Sequence, residues 1–414
     1  MEKIETIISE ASPRKRPPAI LTVLPLAYQD GRDCYAGVLQ YLATRNVRWE
    51  IHLVRHTIAR EHLTHELARG IDGILFSGYQ LDVQLARLIP PHIPCVGLDT
   101  AHPEVFAGRE KVAFVDIDSD AIGRRGAEYL AAQANYAAFG IVGYEDYAWS
   151  ESRIRSFRQT LADRGYGCDI LRVRRTDLHD AALHEKMRAW TANLHRPAAV
   201  MAVSDELGRM FIDALATDGI RVPHEVAVLG VDNEWILCTH MSPTLSSIQP
   251  DFERSGFLAA ECMDKFIRCG AGRAANVSAA PRSGAPLHRI SPVKGIIGRE
   301  STAPSSAAGR LILKAEEFIR SHAGEKLHVD DVARHLSVSR RLLDLRFHEV
   351  TGRTVLAAIH AEQLENVRHL LRTTTLSIAE ISRLYNFRSE NHLKRLFKQT
   401  FGQTMSAYRH PQRA

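Results

Sequence analysis

Cysteine is scarce in this chain of 414 residues. There are six (Cys34, Cys95, Cys168, Cys238, Cys262 and Cys269), with no Cys-x-x-Cys pair. Scattered single cysteines at this length read as reduced, mostly buried thiols, which argues against a disulfide framework and against a zinc site. Cys262 and Cys269 are seven apart, so they fall on one helix face and read as small core residues. Long apolar runs are also missing: no stretch approaches the ~20 residues that a membrane span needs. Met1 to Pro18 alternates Ile with Glu, then reads Pro13-Arg14-Lys15-Arg16-Pro17-Pro18. That segment has no apolar h-region, so it is not a secretory signal, and the expected location is the cytoplasm with no membrane partner. Catalytic signatures are lacking too. There is no Gly-x-Gly-x-x-Gly after the first strand, no Walker loop, no His-Glu-x-x-His and no Gly-x-Ser-x-Gly. Histidines are plentiful at 20, but no Asp/His pair shows catalytic spacing. No catalytic residue, metal or cofactor is expected, and an enzyme is the weakest reading; turnover of a sugar would revive it.

What is present is an ordinary globular composition, 45% hydrophobic and 24% charged, which excludes disorder over most of the length. The length suggests two or three domains. Charge is uneven: the whole chain carries +5, and Ser305 to Ala414 holds 18 Lys/Arg against 11 Asp/Glu, or +7, leaving −2 on the rest. A basic C-terminal quarter on a near-neutral body fits a nucleic-acid-binding module, or a solvated basic surface; charge alone does not choose.

From Ala19 to about Gln249, short β-rich runs alternate with helical spacing. The runs are 19–24, 49–54, 71–76, 94–98, 111–115, 139–142, 198–203 and 226–231. Such alternation predicts parallel sheets with helices on both faces. Roughly ten runs are too many for one small sheet, so two doubly wound lobes are expected, with a ligand crevice between them at the carboxyl ends of the strands. Cys269 to Pro286 reads as a low-complexity loop, and Arg299 to Gly309, rich in Ser, Ala and Pro, as a linker. The predicted organisation is a flexible tail 1–18, a two-lobed α/β sensing and dimerisation domain 19–298, a linker 299–309 and an all-α domain 310–414.

The last hundred residues hold two helix-turn-helix patterns, at about 328–350 and 377–401. In the first, Val332, Ala333 and Leu336 share a face, Ser339 is a good N-cap, and Leu343 and Phe347 point inward. Arg340, Arg341 and Asp344 then face out near the start of the second helix, which Gly352 stops. In the second, Ile378, Ala379, Ile381, Leu384, Leu393, Phe397 and Phe401 face in, and Ser389 caps. Asn391, His392, Lys394 and Arg395 are the exposed candidates, and Gly402 ends the helix. A long helix, about Thr354 to Leu371, joins the two.

The run Ser-Ile-x-x-Ile-Ser…Asn-Phe-x-Ser-x-x-x-Leu-x-Arg-x-Phe-Lys-x-x-x-Gly-x-x-x-x-x-Tyr-Arg, Ser377 to Arg409, resembles the AraC/XylS transcription regulators over about the last hundred residues. The resemblance implies that each unit puts its second helix into a major groove of double-stranded operator DNA, the two grooves ~34 Å apart. Asn386 stands where Gly is commoner, but it tolerates the left-handed conformation of a tight turn. Met405 stands where Pro is common. Leu345 stands where an exposed basic residue is usual, which weakens the case that the first unit makes every base contact.

The body, about Ala19 to Gly298, resembles the LacI-type sensor fold, shared with type I periplasmic sugar-binding proteins. The matching segments are Val115-Asp-Ile-Asp118-Ser119-x3-Gly123-x3-Ala127-x-x-Leu130, Ala202-Val-Ser-Asp205, Ala214-Leu-x-x-x-Gly-Ile-x-Val-Pro223, Val226 to Asn233 and Pro243 to Ile248. A LacI-type body before an AraC-type tail resembles the xylose operon regulators, a narrow group; Val228 to Glu234 and Ile359-His-Ala-Glu-x-Leu-Glu365 are similar to it. The implied effector is a monosaccharide, D-xylose first, with RNA polymerase as a partner, a homodimer as the assembly and activation as the outcome. A sugar presents many hydroxyls, and ionised groups read them through charge-assisted hydrogen bonds. Asp232, ending an apolar strand, and Arg153, where the family carries a ligand arginine, are the leading candidates; Ser156 replaces the usual glycine after it. Asp205 also ends a strand, or caps its own helix. Trp149, Tyr147 and Trp235 are candidates to stack on a sugar face. Asp33, with Arg32, follows the first strand, and Asp99 follows the Val96-Gly97-Leu98 run. Alternatives stay open: another sugar, a purine, a body that only dimerises, or repression.

Overall fold

The computed structural model describes residues 16–100, 102–133, 136–179, 181–270, 286–303, 307–385, 387 and 389–409. Most of the tail 1–18, most of the Cys269–Pro286 loop and Asn386 in the second turn lie outside the described residues.

The chain opens with β1 (Ala19–Val23), α1 (Gln29–Arg45), β2 (Glu50–Val54), α2 (Arg60–Arg69), β3 (Gly73–Ser77), α3 (Val83–Ala86), β4 (Cys95–Leu98) and β5 (Val112–Ile117). Next come α4 (Ser119–Gln133), β6 (Ala138–Tyr144), α5 (Ala148–Ala162), β7 (Asp169–Val173), α6 (Ala181–Ala192), β8 (Ala198–Ala202), α7 (Asp205–Thr217) and β9 (Val226–Val231). Then follow α8 (Trp235–Thr239), β10 (Ser246–Pro250), α9 (Phe252–Gly270), β11 (Leu287–Ser291) and β12 (Val293–Ile297). The helical tail is α10 (Ala307–Ser321), α11 (Val329–His335), α12 (Arg340–Thr351), α13 (Val355–Thr373), α14 (Ile378–Leu384), α15 (Glu390–Phe401) and α16 (Met405–Arg409).

These elements form two compact units. The first holds residues up to 116 together with 252–291, and the second holds 117–251 together with 292–414. Each has one six-stranded sheet, in the orders β11-β5-β4-β3-β1-β2 and β12-β10-β9-β8-β6-β7. The pairs β1–β2, β1–β3, β3–β4, β4–β5, β6–β7, β6–β8, β8–β9 and β9–β10 are parallel, and β12 adds antiparallel to β10. Apart from the added edge strands, both orders follow the doubly wound 2-1-3-4-5 pattern. Central strands β1, β8 and β9 are buried at every residue, as helices on both faces require. In the first unit Phe106 packs on Phe76 and Phe114, with ring centroids 5.4 and 6.0 Å away.

The helical tail has two separate cores. One joins Ile312, Ile319, Val332, Leu343, Phe347 and Ile359; the other joins Val367, Ile381, Leu393, Phe397 and Met405. The long helix α13 contributes to both, so it spaces the two units rigidly. The cap Ser339 accepts from the Leu342 amide, and Ser389 from the His392 amide. Gly352 and Gly402 end α12 and α15 at φ of 70° and 73°, where a side chain would be strained.

One expectation changes. Arg299, Ser301 and Thr302, read as the start of a free linker, are buried at 5%, 0% and 1% exposure. Their polar groups bind inside the second unit: Ser301 Oγ donates to the Val228 carbonyl at 2.6 Å, and Thr302 shares a 2.7 Å hydroxyl contact with Ser246.

Candidate functional site

Strands β6, β8 and β9 lie side by side, so the loops at their carboxyl ends open onto one face of the second unit. Helix α5, after β6, carries Trp149 and Arg153 there. Arg153 is only 5% exposed. Its Nη1 donates to the carbonyl of Val203, just past β8, at 2.6 Å, and lies 3.9 Å from Asp232 Oδ1, just past β9. Its guanidinium carbon sits 4.5 Å from the Trp149 ring centroid, a cation–π arrangement. Tyr147 packs 5.5 Å from Trp149, and Arg175 lies over Tyr147 at 5.9 Å. The site therefore places fixed donors, a half-buried carboxylate and an aromatic face within one small volume.

Asp232 and Asn233 have φ of 106° and 52°, unusual for residues with a side chain. Such conformations cost about 1–3 kcal/mol each and persist only where surroundings over-determine them. Here they do. The Asp232 amide donates to the Ile248 carbonyl at 2.9 Å and the Asn233 amide to Ser247 Oγ at 2.9 Å. Arg299 Nη2 donates to Asn233 Oδ1 at 2.7 Å, and its Nη1 to the Leu245 carbonyl at 2.7 Å. Burial pulls the Arg299 guanidinium below its ordinary range.

Asp205, a candidate ligand carboxylate by its strand-end position, is placed differently. It is 1% exposed. Oδ1 accepts from Ser247 Oγ at 2.6 Å, and Oδ2 from the Glu234 amide at 2.8 Å and Cys238 Sγ at 3.2 Å. Burial pushes its carboxyl up to about 7 against the opposing pull of those donors and of Arg299. Nor does Asp205 cap α7; Ser204 does, accepting from the Leu207 amide. Asp205 thus braces the Asn233–Cys238 segment from below. Trp235 starts α8 and is 58% exposed, its ring edge against His240 at 4.8 Å.

Asp33 belongs to the first unit, half-buried in α1 after β1. Its neighbour Arg32 turns back onto the carbonyls of Leu26 and Ala27. Asp99 follows β4 with φ of 46°, in the place that Asp232 holds after β9 of the other sheet. A cavity of about 550 Å³ on the first unit is lined by Gly78, Tyr79, Asp82, Gln84 and His102, none of them a sequence candidate. Sequence reasoning missed Ser247 and Arg299. The signal was Arg299-Glu300-Ser301-Thr302, a polar run that composition assigns to a linker.

In the tail, Arg341, Asn391 and Arg395 are exposed on α12 and α15 as expected. Three others are engaged. Arg340 pairs with Asp330 at 3.2 Å and reaches Asp344 at 3.7 Å, and Lys394 pairs with Glu390. His392 does not face out. It turns toward Phe387 and His360, with centroids 6.4 and 5.7 Å away, because the imidazole completes that aromatic cluster.

Residues 115–302 match a periplasmic binding protein-like domain, and residues 332–410 a helix-turn-helix domain. The chain is a transcription regulator in which a sensor domain of that fold carries a DNA-binding helix-turn-helix domain. Over 384 residues it is 27% identical to the xylose operon regulatory protein of Escherichia coli strain K12, covering 91% of this chain and 93% of that one. Two solved structures share the fold. The xylose-binding transcription activator matches at TM-score 0.56 and 24% identity, over 95% of this chain and 98% of that one. The complex of the transcriptional regulator CelR with cellobiose matches at TM-score 0.54 and 23% identity, over 69% and 84%. No helix among the described residues is long and apolar enough to cross a membrane.

Proposed function

We propose that this regulator activates transcription in response to a monosaccharide, with D-xylose the first candidate, bound at the carboxyl-end face of the second sheet. The observation that carries the reading is Arg153 held 3.9 Å from Asp232 beside the Trp149 ring. Adjacent sugar hydroxyls each donate and accept; the Asp232 carboxylate takes the donations, Arg153 supplies the charged donors, and the indole covers the C–H face. Asp205 and Arg299 hold the Asp232–Asn233 turn in place rather than touch the sugar. A relative that spans nearly the whole chain is a xylose operon regulator, which favours a pentose. A homodimer, engaging two operator half-sites and contacting RNA polymerase, completes the reading. The aromatic cluster of Tyr144, Tyr147 and Trp149 also suits a planar purine, which is the second reading.

The test is a thermal shift of the full chain against pentoses, hexoses and purines. Effector at ~100 times its dissociation constant adds ~2.7 kcal/mol of stability. The expected result is a rise with D-xylose that Asp232→Ala abolishes while operator binding persists. A rise with purines alone moves the site to the second reading. A wild-type response in Asp232→Ala removes Asp232 from the site. Operator-driven transcription with and without the effector then gives the sign: a fall with effector overturns activation.

A further inference from the structure

The two helix-turn-helix units repeat at an offset of 50 residues. Ser339, Leu343, Phe347, Gly352 and Thr354 correspond to Ser389, Leu393, Phe397, Gly402 and Thr404. Caps, inward pair and helix stop fall in register in α12 and α15. At about 100° per residue, the slot two past the first buried leucine points almost directly away from the core. In α15 that slot holds Arg395; in α12 it holds Leu345. Leu345 is 53% exposed, and Leu342, one turn earlier on the same face, is 40% exposed. A large apolar side chain at the centre of an outward face is costly in water, and its place is where its twin carries an arginine. Exposed Arg341 and Arg346 flank it; Arg346 pairs with Glu349 at 2.8 Å, an exposed ion pair weak enough for a phosphate to displace. Arg340 is drawn aside to Asp330 and Asp344.

We propose that Leu345, supported by Leu342, is a specificity residue that reads thymine methyl groups in the major groove, while the matching Arg395 reads a polar base edge. In the major groove only the A·T pair offers a methyl group, on thymine C5, and apolar side chains meet it by contact rather than by hydrogen bonds. Arginine in the equivalent slot suits the O6 and N7 acceptors of guanine. The two major grooves that one chain contacts are therefore read by different chemistry: apolar contact to a thymine in one, hydrogen bonding in the other. Arg341 and Arg346 hold the flanking phosphates and fix register without reading sequence.

The experiment selects binding sites for the full-length protein from random-sequence duplexes. Each thymine in the selected site is then replaced by deoxyuridine, which removes only the methyl group, and affinity is measured by fluorescence anisotropy at fixed salt. At least one replacement should weaken wild-type binding about four-fold, the value of one buried methyl. Leu345→Ala should bind the thymine and deoxyuridine duplexes equally, Arg395→Ala should keep the penalty, and Leu345→Arg should shift selection at that base pair toward guanine. Because Leu345 is exposed, these variants keep the helical core. The proposal is overturned if no replacement weakens wild-type binding, or if Leu345→Ala retains the penalty. The latter result would assign the apolar face to a protein contact, with a second copy or another chain as its occupant.

Discussion

Replacing Arg299 with alanine tests the hydrogen-bond network under the site most severely. The guanidinium spans two acceptors, the Leu245 carbonyl and Asn233 Oδ1, each at 2.7 Å. Leu245 is fully buried, so its carbonyl loses a donor that water cannot replace; Asn233 is half-buried and recovers part of its loss from solvent. An orphaned buried acceptor costs about 1–3 kcal/mol. Arg299 is also the cation that favours the ionised form of buried Asp205. Two hydrogen bonds from a charged donor are worth about 1.5–3 kcal/mol each, so a loss of about 3–5 kcal/mol is expected for Arg299→Ala. Arg299→Lys should recover part of it, since one ammonium on a flexible stem does not span both acceptors as a planar fork does. Urea unfolding followed by tryptophan fluorescence measures the loss. Sugar titration of the same variants should show weakened binding, because the Asp232–Asn233 turn loses its brace. If Arg299→Ala lies within about 0.5 kcal/mol of wild type, the range of an ordinary surface change, the reasoning fails.

Asp205→Asn should flatten the pH dependence of stability. The folded carboxyl lies near 7 and the unfolded one near 3.8, so between these values the folded state holds a proton that the unfolded state has released. Its stabilising contribution is full below the lower value and is lost as pH rises through the upper one, so wild type should weaken from about pH 4 to about pH 7 while the variant changes less in urea unfolding. Ser339→Ala and Ser389→Ala should each cost ~1 kcal/mol, read as helicity lost in the unit that each serine caps. Phe347→Ala should cost about 3–5 kcal/mol and raise amide exchange in α12 while α15 stays protected, because the two cores are separate.

The central strands were legible because a strand covered on both faces is apolar at every position, as in Ala19–Val23 and Val226–Val231. The strands that went unrecognised lie in the outer parts of their sheets. Asp169–Val173, Leu287–Ser291 and Val293–Ile297 mix charged and apolar residues because one side meets solvent. Ser246–Pro250 fails for the opposite reason: its serines are buried, satisfied by Asp205, Arg299 and Ser301. In the tail, Leu343 with Phe347 and Leu393 with Phe397 sit on helical spacing, so boundaries and caps were readable almost to the residue. Asp232 was a candidate because it follows a recognisable strand, whereas Arg153, inside α5, was a candidate only through the family resemblance. The burial of Asp205 and the inward turn of His392 depend on partners distant in sequence, Ser247 and His360, which no local pattern reports.

The first residues of the segment expected as a linker belong to the core of the second unit. A free linker would separate the site from the helices. Instead, Arg299 closes on Asn233, the residue after Asp232, and Ser301 and Thr302 lock onto Val228 and Ser246. Tyr129 Oη meets Thr302 Oγ1 at 2.9 Å, which ties α4 to the same knot only a few residues before α10 begins. Any ligand that favours one arrangement of the Asp232–Asn233 turn therefore acts on residues 299–302 through consecutive hydrogen bonds. Coupling of this kind is limited by the ligand's differential affinity for the two arrangements. Polar residues normally mark a boundary between domains; here, at 299–302, they are buried and mutually satisfied.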